Sequence, residues 1–169
     1  SDQLVYSLHI PYTKTFEAHG IPKECTGHTT ECYPGDIESL RQALVANEKE
    51  GGTAAVILEP IGPESGTRMM PYDYCAKARE LCDEFGTLLI FDEVVSAFRV
   101  GPGGAAGYFG VIPDLTVFGK IVSGGFPMAG GVGGREDVMS CMAAGVKAGK
   151  KRAYVGGTLT ANPLSCAAG

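Results

Sequence analysis

The chain has 169 residues, 44% of them hydrophobic, and carries a formal charge of -5 at neutral pH. This length suffices for one ordinary core, and a negative charge without a broad basic face argues against nucleic acid as a partner. The longest apolar runs are far shorter than the roughly 20 residues of a membrane helix, so no spanning segment is predicted, and six dispersed cysteines indicate reduced thiols in the cytoplasm rather than a disulfide scaffold.

The first half of the chain predicts a helix, a strand, a second helix and a second strand. Asp36 can cap a helix over 37–49, and the apolar run 54–58 follows as a short buried strand. A second helix is predicted near 72–85, and the run 87–91 follows it at once as another apolar strand. A strand, a helix and a strand at this spacing form a βαβ unit with parallel strands, so the predicted fold class is α/β.

The second half of the chain predicts two further strands among many glycines. LTVF at 115–118 is typical of a strand, residues 128–132 predict a strand weakened by glycine, and a helix is expected from about 136 to 144. GPGGAA at 101–106 fits a loose dinucleotide-binding pattern, which makes a nicotinamide-dependent dehydrogenase an alternative. Because no strand leads directly into this motif and no helix start is expected after it, we interpret it as a flexible loop.

Two polar residues follow directly on two of the predicted strands. Asp92 comes immediately after the second strand, and Lys120 follows the third with one glycine between. Ligands gather at the carboxyl ends of the strands in an open parallel sheet, so these two residues are candidates for one site. Since side chains alternate along a strand, Asp92 and Val94 can point to one side while Glu93 points away, and the role of Glu93 stays open.

Four collinear motifs resemble signatures of the class III pyridoxal phosphate (PLP) aminotransferases. They are AAVILEPIGPESG at 54–66, FDEVVSAFR at 91–99, DLTVFGKIVSGGFPMAGGVGG at 114–134 and GGTLTANPLSCAAG at 156–169. YPGDIESL, nearer the start, resembles the branch that contains glutamate-1-semialdehyde aminomutase. The resemblance implies the large domain of a fold type I PLP-dependent transferase, with a mostly parallel sheet flanked by helices. The implied reaction is amino-group transfer between an amino compound and a keto acid or aldehyde.

The resemblance also implies roles for individual residues. Lys120 would bind PLP covalently through its ε-amine and later carry the proton, and Asp92 would pair with the protonated pyridine nitrogen. Val94 would pack against one face of the ring. Glu59 matches a glutamate near the cofactor, and Thr158 matches a threonine that reaches the phosphate bound by the neighbouring subunit, which implies a homodimer.

Some positions leave the reaction and the extent of the domain open. Glu64 matches a glutamate that, in some family members, swings aside for the second substrate. Gly62 stands where many family members have a glutamine that contacts the cofactor, and Ser123 stands where the aminomutase pattern has glycine, so transamination and an intramolecular amine shift both remain hypotheses. Family subunits are considerably longer, and we expect 1–169 to be a partial large domain without the N-terminal segment and the small C-terminal domain, with a helix beginning at Gly169.

A metal site is considered and not predicted. Cys25, His28 and Cys32 have a spacing typical of metal ligands, but a closed zinc site needs four good ligands and only a glutamate lies nearby. Besides the PLP enzyme and the dehydrogenase, a third hypothesis is a catalytically silent fragment of a larger subunit, since we expect the isolated chain to bind PLP weakly.

Overall fold

The computed structural model describes residues 24, 27–61, 70–127, 130–142 and 152–169. The chain divides into two compact units, Ser1–Tyr33 and Pro34–Gly169, and all the helices and strands named below lie in the second. The helices are α1 (Ile37–Asn47), α2 (Tyr74–Glu84), α3 (Gly104–Phe109), α4 (Glu136–Met139) and α5 (Pro163–Ala168). The strands are β1 (Ala55–Leu58), β2 (Leu88–Asp92), β3 (Leu115–Phe118) and β4 (Gly131–Gly134).

These strands form one four-stranded sheet in the order β1, β2, β3, β4. The pairs β1–β2 and β2–β3 are parallel, which confirms the predicted βαβ unit, and β4 lies antiparallel to β3. The strand predicted over 128–132 is displaced, since β4 begins at Gly131 and residues 128–129 lie outside the described part of the chain. The sheet is therefore mostly parallel, as expected.

One face of the sheet carries the core. Leu89 and Phe91 of β2 are fully buried and pack with Cys75 and Cys82 of α2. Because side chains alternate along a strand, the other residues of each strand project from the opposite face. That face is more open in the described structure, and Ile57 of β1 is 52% exposed there. Asp92, at the end of β2, belongs to this second set of residues and is half-buried.

Local signals set the ends of the first two helices. The Asp36 carboxylate accepts hydrogen bonds from the amides of Glu38 at 3.0 Å and Ser39 at 3.1 Å, as a capping residue does. Gly86, just after α2, has a φ of 64°, the left-handed conformation that ends a helix. Both helices therefore lie where the sequence predicts them, within about two residues at each end.

The expectation that no helix begins after GPGGAA is wrong. Helix α3 starts at Gly104, inside the motif. Its first amides have a partner that is distant in sequence, because the buried Glu93 carboxylate accepts hydrogen bonds from Ala105 N at 2.7 Å and Ala106 N at 3.2 Å. The sequence next to α3 does not reveal this cap, because Glu93 reaches the first amides of the helix only in the folded chain.

The helix expected to begin at Gly169 begins earlier. Helix α5 starts at Pro163, where the missing proline amide costs nothing and the fixed φ favours the first helical turn. The Asn162 side chain caps this helix by accepting a hydrogen bond from Ser165 N at 2.9 Å. The dipeptide Asn162–Pro163 is thus the sequence signal that the prediction missed.

The helix predicted from about 136 to 144 is shorter in its described part. It consists of α4 and a 3-10 turn over Ser140–Met142, and residues 143–151 lie outside the described ranges.

Among the residues that the structure describes, none of the helices has the length and apolar character to cross a bilayer.

Candidate functional site

The ends of β2 and β3 bring Asp92 and Lys120 to the same edge of the sheet. Asp92 is the last residue of β2 and pairs in register with Val117 of β3. Strand β3 ends at Phe118, and Lys120 follows after one glycine. Because the two strands are parallel neighbours, both side chains start from adjacent strand ends. The topology expected from the sequence thus places the two candidate residues together.

The Asp92 carboxylate has unused acceptor capacity. It is half-buried, and its Oδ1 accepts a hydrogen bond from Val94 N at 3.0 Å. Within the described part of the chain, its second oxygen has no donor, although a carboxylate removed from water normally collects several. The carboxylate can therefore accept an N–H group from a bound molecule.

Lys120 has an unusual backbone and an unpaired amine. Its φ is 50°, in the left-handed region that non-glycine residues seldom adopt, and such strain is common at functional sites. The residue opens a 3-10 turn over Lys120–Ser123, and the buried Ser123 hydroxyl donates to the Lys120 carbonyl at 2.9 Å. The side chain is exposed, and among the described residues no carboxylate forms an ion pair with it. The side chain is therefore accessible to a bound molecule.

Val94 packs against the backbone that leads to Lys120. A Cβ atom added at Gly119 would lie 3.1 Å from Cγ1 of Val94, closer than ordinary van der Waals contact. Glycine therefore lets the Val94 side chain approach the chain immediately before the lysine. This contact links the turn that follows β2 to the turn that follows β3.

The two further candidates, Glu59 and Thr158, lie in elements other than β2 and the turn of Lys120. Glu59 directly follows β1 and is half-buried, at the same edge of the sheet as Asp92 because β1 and β2 are parallel. Thr158 is exposed in a turn over residues 158–161 that precedes α5. Helix α5 packs on the 3-10 turn of Lys120, and its Ser165 hydroxyl donates to the Pro127 carbonyl at 2.5 Å. Among the described residues, Thr158 forms no hydrogen bond with Asp92 or Lys120.

Three residues singled out from the sequence lie outside the described residues. They are Glu64, Gly62 and Cys25. Within the described ranges, no group of three or more His, Cys, Asp or Glu side chains is arranged to hold a metal ion.

The contacts of Glu93, next to Asp92, could not be predicted from the sequence. It is 1% exposed, and its carboxylate accepts from the amides of Ala105 and Ala106 and from the Ser96 hydroxyl at 3.1 Å. The side chain points away from Asp92, toward α3, as the alternation along the strand predicts. The amides at the start of α3 are thus occupied, which removes the anion-binding feature that a dinucleotide site at this motif would need.

Solved structures of PLP-dependent enzymes share this fold. An omega-transaminase from Sphaerobacter thermophilus aligns with a TM-score of 0.78 and 34% identity, over 91% of this chain and 34% of that one. A transaminase with PLP bound gives a TM-score of 0.75 at 29% identity, over 89% and 34%. A glutamate-1-semialdehyde-aminomutase from Pseudomonas aeruginosa PAO1 in complex with PMP gives 0.63 at 29%, over 80% and 30%. The fold is that of the fold type I PLP-dependent transferases.

One family of such enzymes matches almost the whole sequence. Residues 5–169 match the model described as Aminotransferase class-III, and the chain belongs to that family. A glutamate-1-semialdehyde 2,1-aminomutase from Legionella pneumophila (strain Paris) is 43% identical over 164 residues, covering 96% of this chain and 35% of that protein. A glutamate-1-semialdehyde 2,1-aminomutase 1 from Lachnoclostridium phytofermentans is 41% identical over 150 residues, covering 89% and 33%. The chain spans about a third of the length of these curated relatives.

Proposed function

We propose that the whole protein is a PLP-dependent enzyme that moves an amino group between an amino compound and a keto acid or aldehyde. One observation carries the proposal: at adjacent strand ends of a class III aminotransferase chain stand a carboxylate and a lysine amine, and among the described residues one carboxylate oxygen has no donor and the amine has no ion-pair partner. PLP contains a ring nitrogen and an aldehyde, so its two ends call for a carboxylate and a primary amine. The pair Asp92 and Lys120 supplies both.

Each residue of the pair has a defined task. When bound, PLP supplies an electron sink for the substrate carbon that gives up its proton. Lys120 would hold the cofactor through its ε-amine and would move a proton at the substrate carbon. Asp92 accepts the ring N–H with its free oxygen, and this charge-assisted bond favours the protonated ring on which the electron sink depends.

Supporting residues surround the pair in this proposal. Val94 packs against one face of the ring, in keeping with its position between Asp92 and Gly119. Glu59 contacts the cofactor region from the end of β1. Thr158 reaches the phosphate bound by a second copy of the protein, so the active form is a homodimer. Glu64 moves to admit the second substrate.

The remaining parts of the proposal concern the setting of the site. Residues 1–169 form part of the cofactor-binding large domain, and the phosphate anchor and the residues that bind the substrate carboxylate belong to other parts of the whole protein. The site works on small amines and keto compounds in the cytoplasm. The family match and the mostly parallel sheet support this assignment.

An intramolecular amine shift is the second candidate reaction. The curated relatives named above are aminomutases at 41% and 43% identity, whereas the omega-transaminase structure aligns at 34%. The two reactions differ in one measurable requirement. A transaminase needs a separate keto acceptor in stoichiometric amount, whereas an aminomutase isomerises an amino aldehyde without any added acceptor.

The cofactor proposal is tested by titrating the full natural protein with PLP and recording the absorbance of lysine-bound PLP. Reduction with borohydride followed by peptide mass spectrometry locates the modified lysine. We expect the label on Lys120, and Lys120→Ala abolishes both the absorbance and the label. Lys49 is also exposed and lies well before Lys120 in the sequence, so Lys49→Ala serves as the matched control and leaves the absorbance and the label intact. An unchanged spectrum in Lys120→Ala refutes the attachment site.

A further inference from the structure

Glu93 occupies the centre of a hydrogen-bonded junction between the candidate site and α3. Its carboxylate accepts from Ala105 N at 2.7 Å, Ala106 N at 3.2 Å and Ser96 Oγ at 3.1 Å. With 1% of its surface exposed, it is the most deeply buried acidic side chain in the described structure. A carboxylate so far from water is costly unless its acceptors are filled, and here three donors converge on it.

The backbone of Glu93 belongs to the same junction. Its amide donates to the Val117 carbonyl of β3 at 2.9 Å, which extends the pairing of β2 with β3 by one residue beyond Asp92. Its carbonyl accepts from Ala97 N at 3.0 Å. Both the main chain and the side chain of Glu93 therefore hold the start of the turn at residues 94–99, next to the amide of Val94 that binds Asp92.

The opposite side of the junction is fitted to the carboxylate. Gly104 has a φ of 58°, and a Cβ atom placed there would collide with both oxygens and the carboxyl carbon of Glu93. Glycine is therefore required at position 104 for two reasons: the backbone is left-handed there, and the Glu93 carboxylate occupies the space that a Cβ atom would need. Gly107, one turn later in α3, has nothing within 4 Å of an added Cβ. The two glycines form a matched pair for mutation.

We propose that Glu93 is a positioning residue for the proposed aminotransferase site: by fastening the turn after β2 to α3, it fixes Asp92 and Val94 relative to Lys120. The proposal rests on the proposed function of Asp92 and Lys120 and adds a residue to it. The path of action is short. Glu93 fixes the turn, the turn sets the Val94 amide that orients the Asp92 carboxylate, and the Val94 side chain lies against Gly119 beside the lysine.

The test compares Glu93→Gln and Gly104→Ala in the full natural protein, with Glu80→Gln and Gly107→Ala as controls. Glutamine keeps the shape of glutamate but presents an NH₂ group to one of the backbone amides. Alanine at 104 leaves the carboxylate present but displaces it. In the protein without cofactor, we expect hydrogen exchange of peptides covering 103–108 to accelerate roughly 10- to 100-fold in both variants. Exchange in the controls does not accelerate, since Glu80 lies outside the junction and alanine at 107 favours the helix.

A second readout separates positioning from mere helix capping. The pH midpoint of the absorbance of lysine-bound PLP reports how well Asp92 engages the ring. We expect Glu93→Gln to shift this midpoint in the same direction as Asp92→Asn, and to add nothing in the Asp92→Asn background, because both changes act through one carboxylate. Normal exchange in Glu93→Gln, an unchanged midpoint, or an additive double variant each overturns the proposal.

Failure of the proposed function has a different signature. If PLP does not attach to Lys120, the unmutated protein lacks the lysine-dependent absorbance altogether. If only the role of Glu93 is wrong, that absorbance is present and its pH midpoint is the same with and without the Glu93 substitution.

Discussion

Asp114 holds the amino end of the sheet together, and its substitution tests the electrostatics of the fold. It immediately precedes β3 and is 6% exposed. Its carboxylate accepts from Arg79 at 2.8 Å, from Leu89 N at 2.7 Å and from Arg135 at 2.7 Å, which joins α2, β2 and the end of β4. Asparagine at this position turns an NH₂ group toward at least one of these donors and removes the charge.

The magnitude follows from the pKa of Asp114. Burial alone would raise this pKa, but the hydrogen bonds from Arg135, the Leu89 amide and Arg79 outweigh burial and lower it from 3.8 to about 2. A pKa lowered by folding contributes stability above the ordinary value of the carboxyl group, and that stability is lost as the pH falls toward 2. The contribution is about 2 kcal/mol at pH 7, and roughly half of it is lost by pH 3.

Urea unfolding of the natural protein and of Asp114→Asn, followed by circular dichroism between pH 7 and pH 3, measures this effect. We expect the variant to unfold with about 2 to 3 kcal/mol less stability at pH 7. The difference between the two proteins should narrow as the pH falls below about 4. Asp137→Asn, which removes only an exposed partner of Arg135, is the control and changes little. A difference that is equally large at pH 3 and pH 7 refutes the electrostatic reasoning.

Three other predictions follow from local features. Burial raises the pKa of Cys75 and of Cys82 to about 11. At pH 8 we therefore expect iodoacetamide to modify the exposed Cys166 first and the two buried cysteines only after denaturation. Equal rates of modification in the folded protein would contradict this reasoning. Asp36→Ala should lower the free energy of unfolding by about 1 kcal/mol, with Asp36→Asn close to normal in the same urea assay. Phe91→Ala should cost about 3 to 5 kcal/mol by opening a cavity in the core, and a loss below 1 kcal/mol would show that the site collapses.

The positions of Asp92 and Lys120 after β2 and β3 could be predicted from the sequence more fully than the structure around these two residues. Asp92 and Lys120 each follow a short, mostly apolar run, and the length of these runs and the turn residues around them favour strands over helices. The antiparallel direction of β4 could not be predicted, because Gly131–Gly134 has almost no side-chain pattern to indicate pairing. Helix α3 was missed for another reason. Its cap is Glu93, a residue that only the folded chain brings to the Ala105 amide.

Of three carboxylates near the sheet, two have three donors each and one has a single donor among the described residues, and this difference supports the proposal that the third faces a ligand. Asp114 has two guanidinium groups and an amide, and Glu93 has two amides and a hydroxyl. Asp92 has one amide donor among the described residues. A carboxylate whose acceptors are filled by its own chain stabilises the fold and has little remaining acceptor capacity, whereas one with a spare oxygen in a half-buried position can accept a hydrogen bond from a bound molecule. In the proposed function the ring nitrogen of PLP is such a donor to Asp92, and the two filled carboxylates hold in place the strands and the turn beside Asp92 and Lys120.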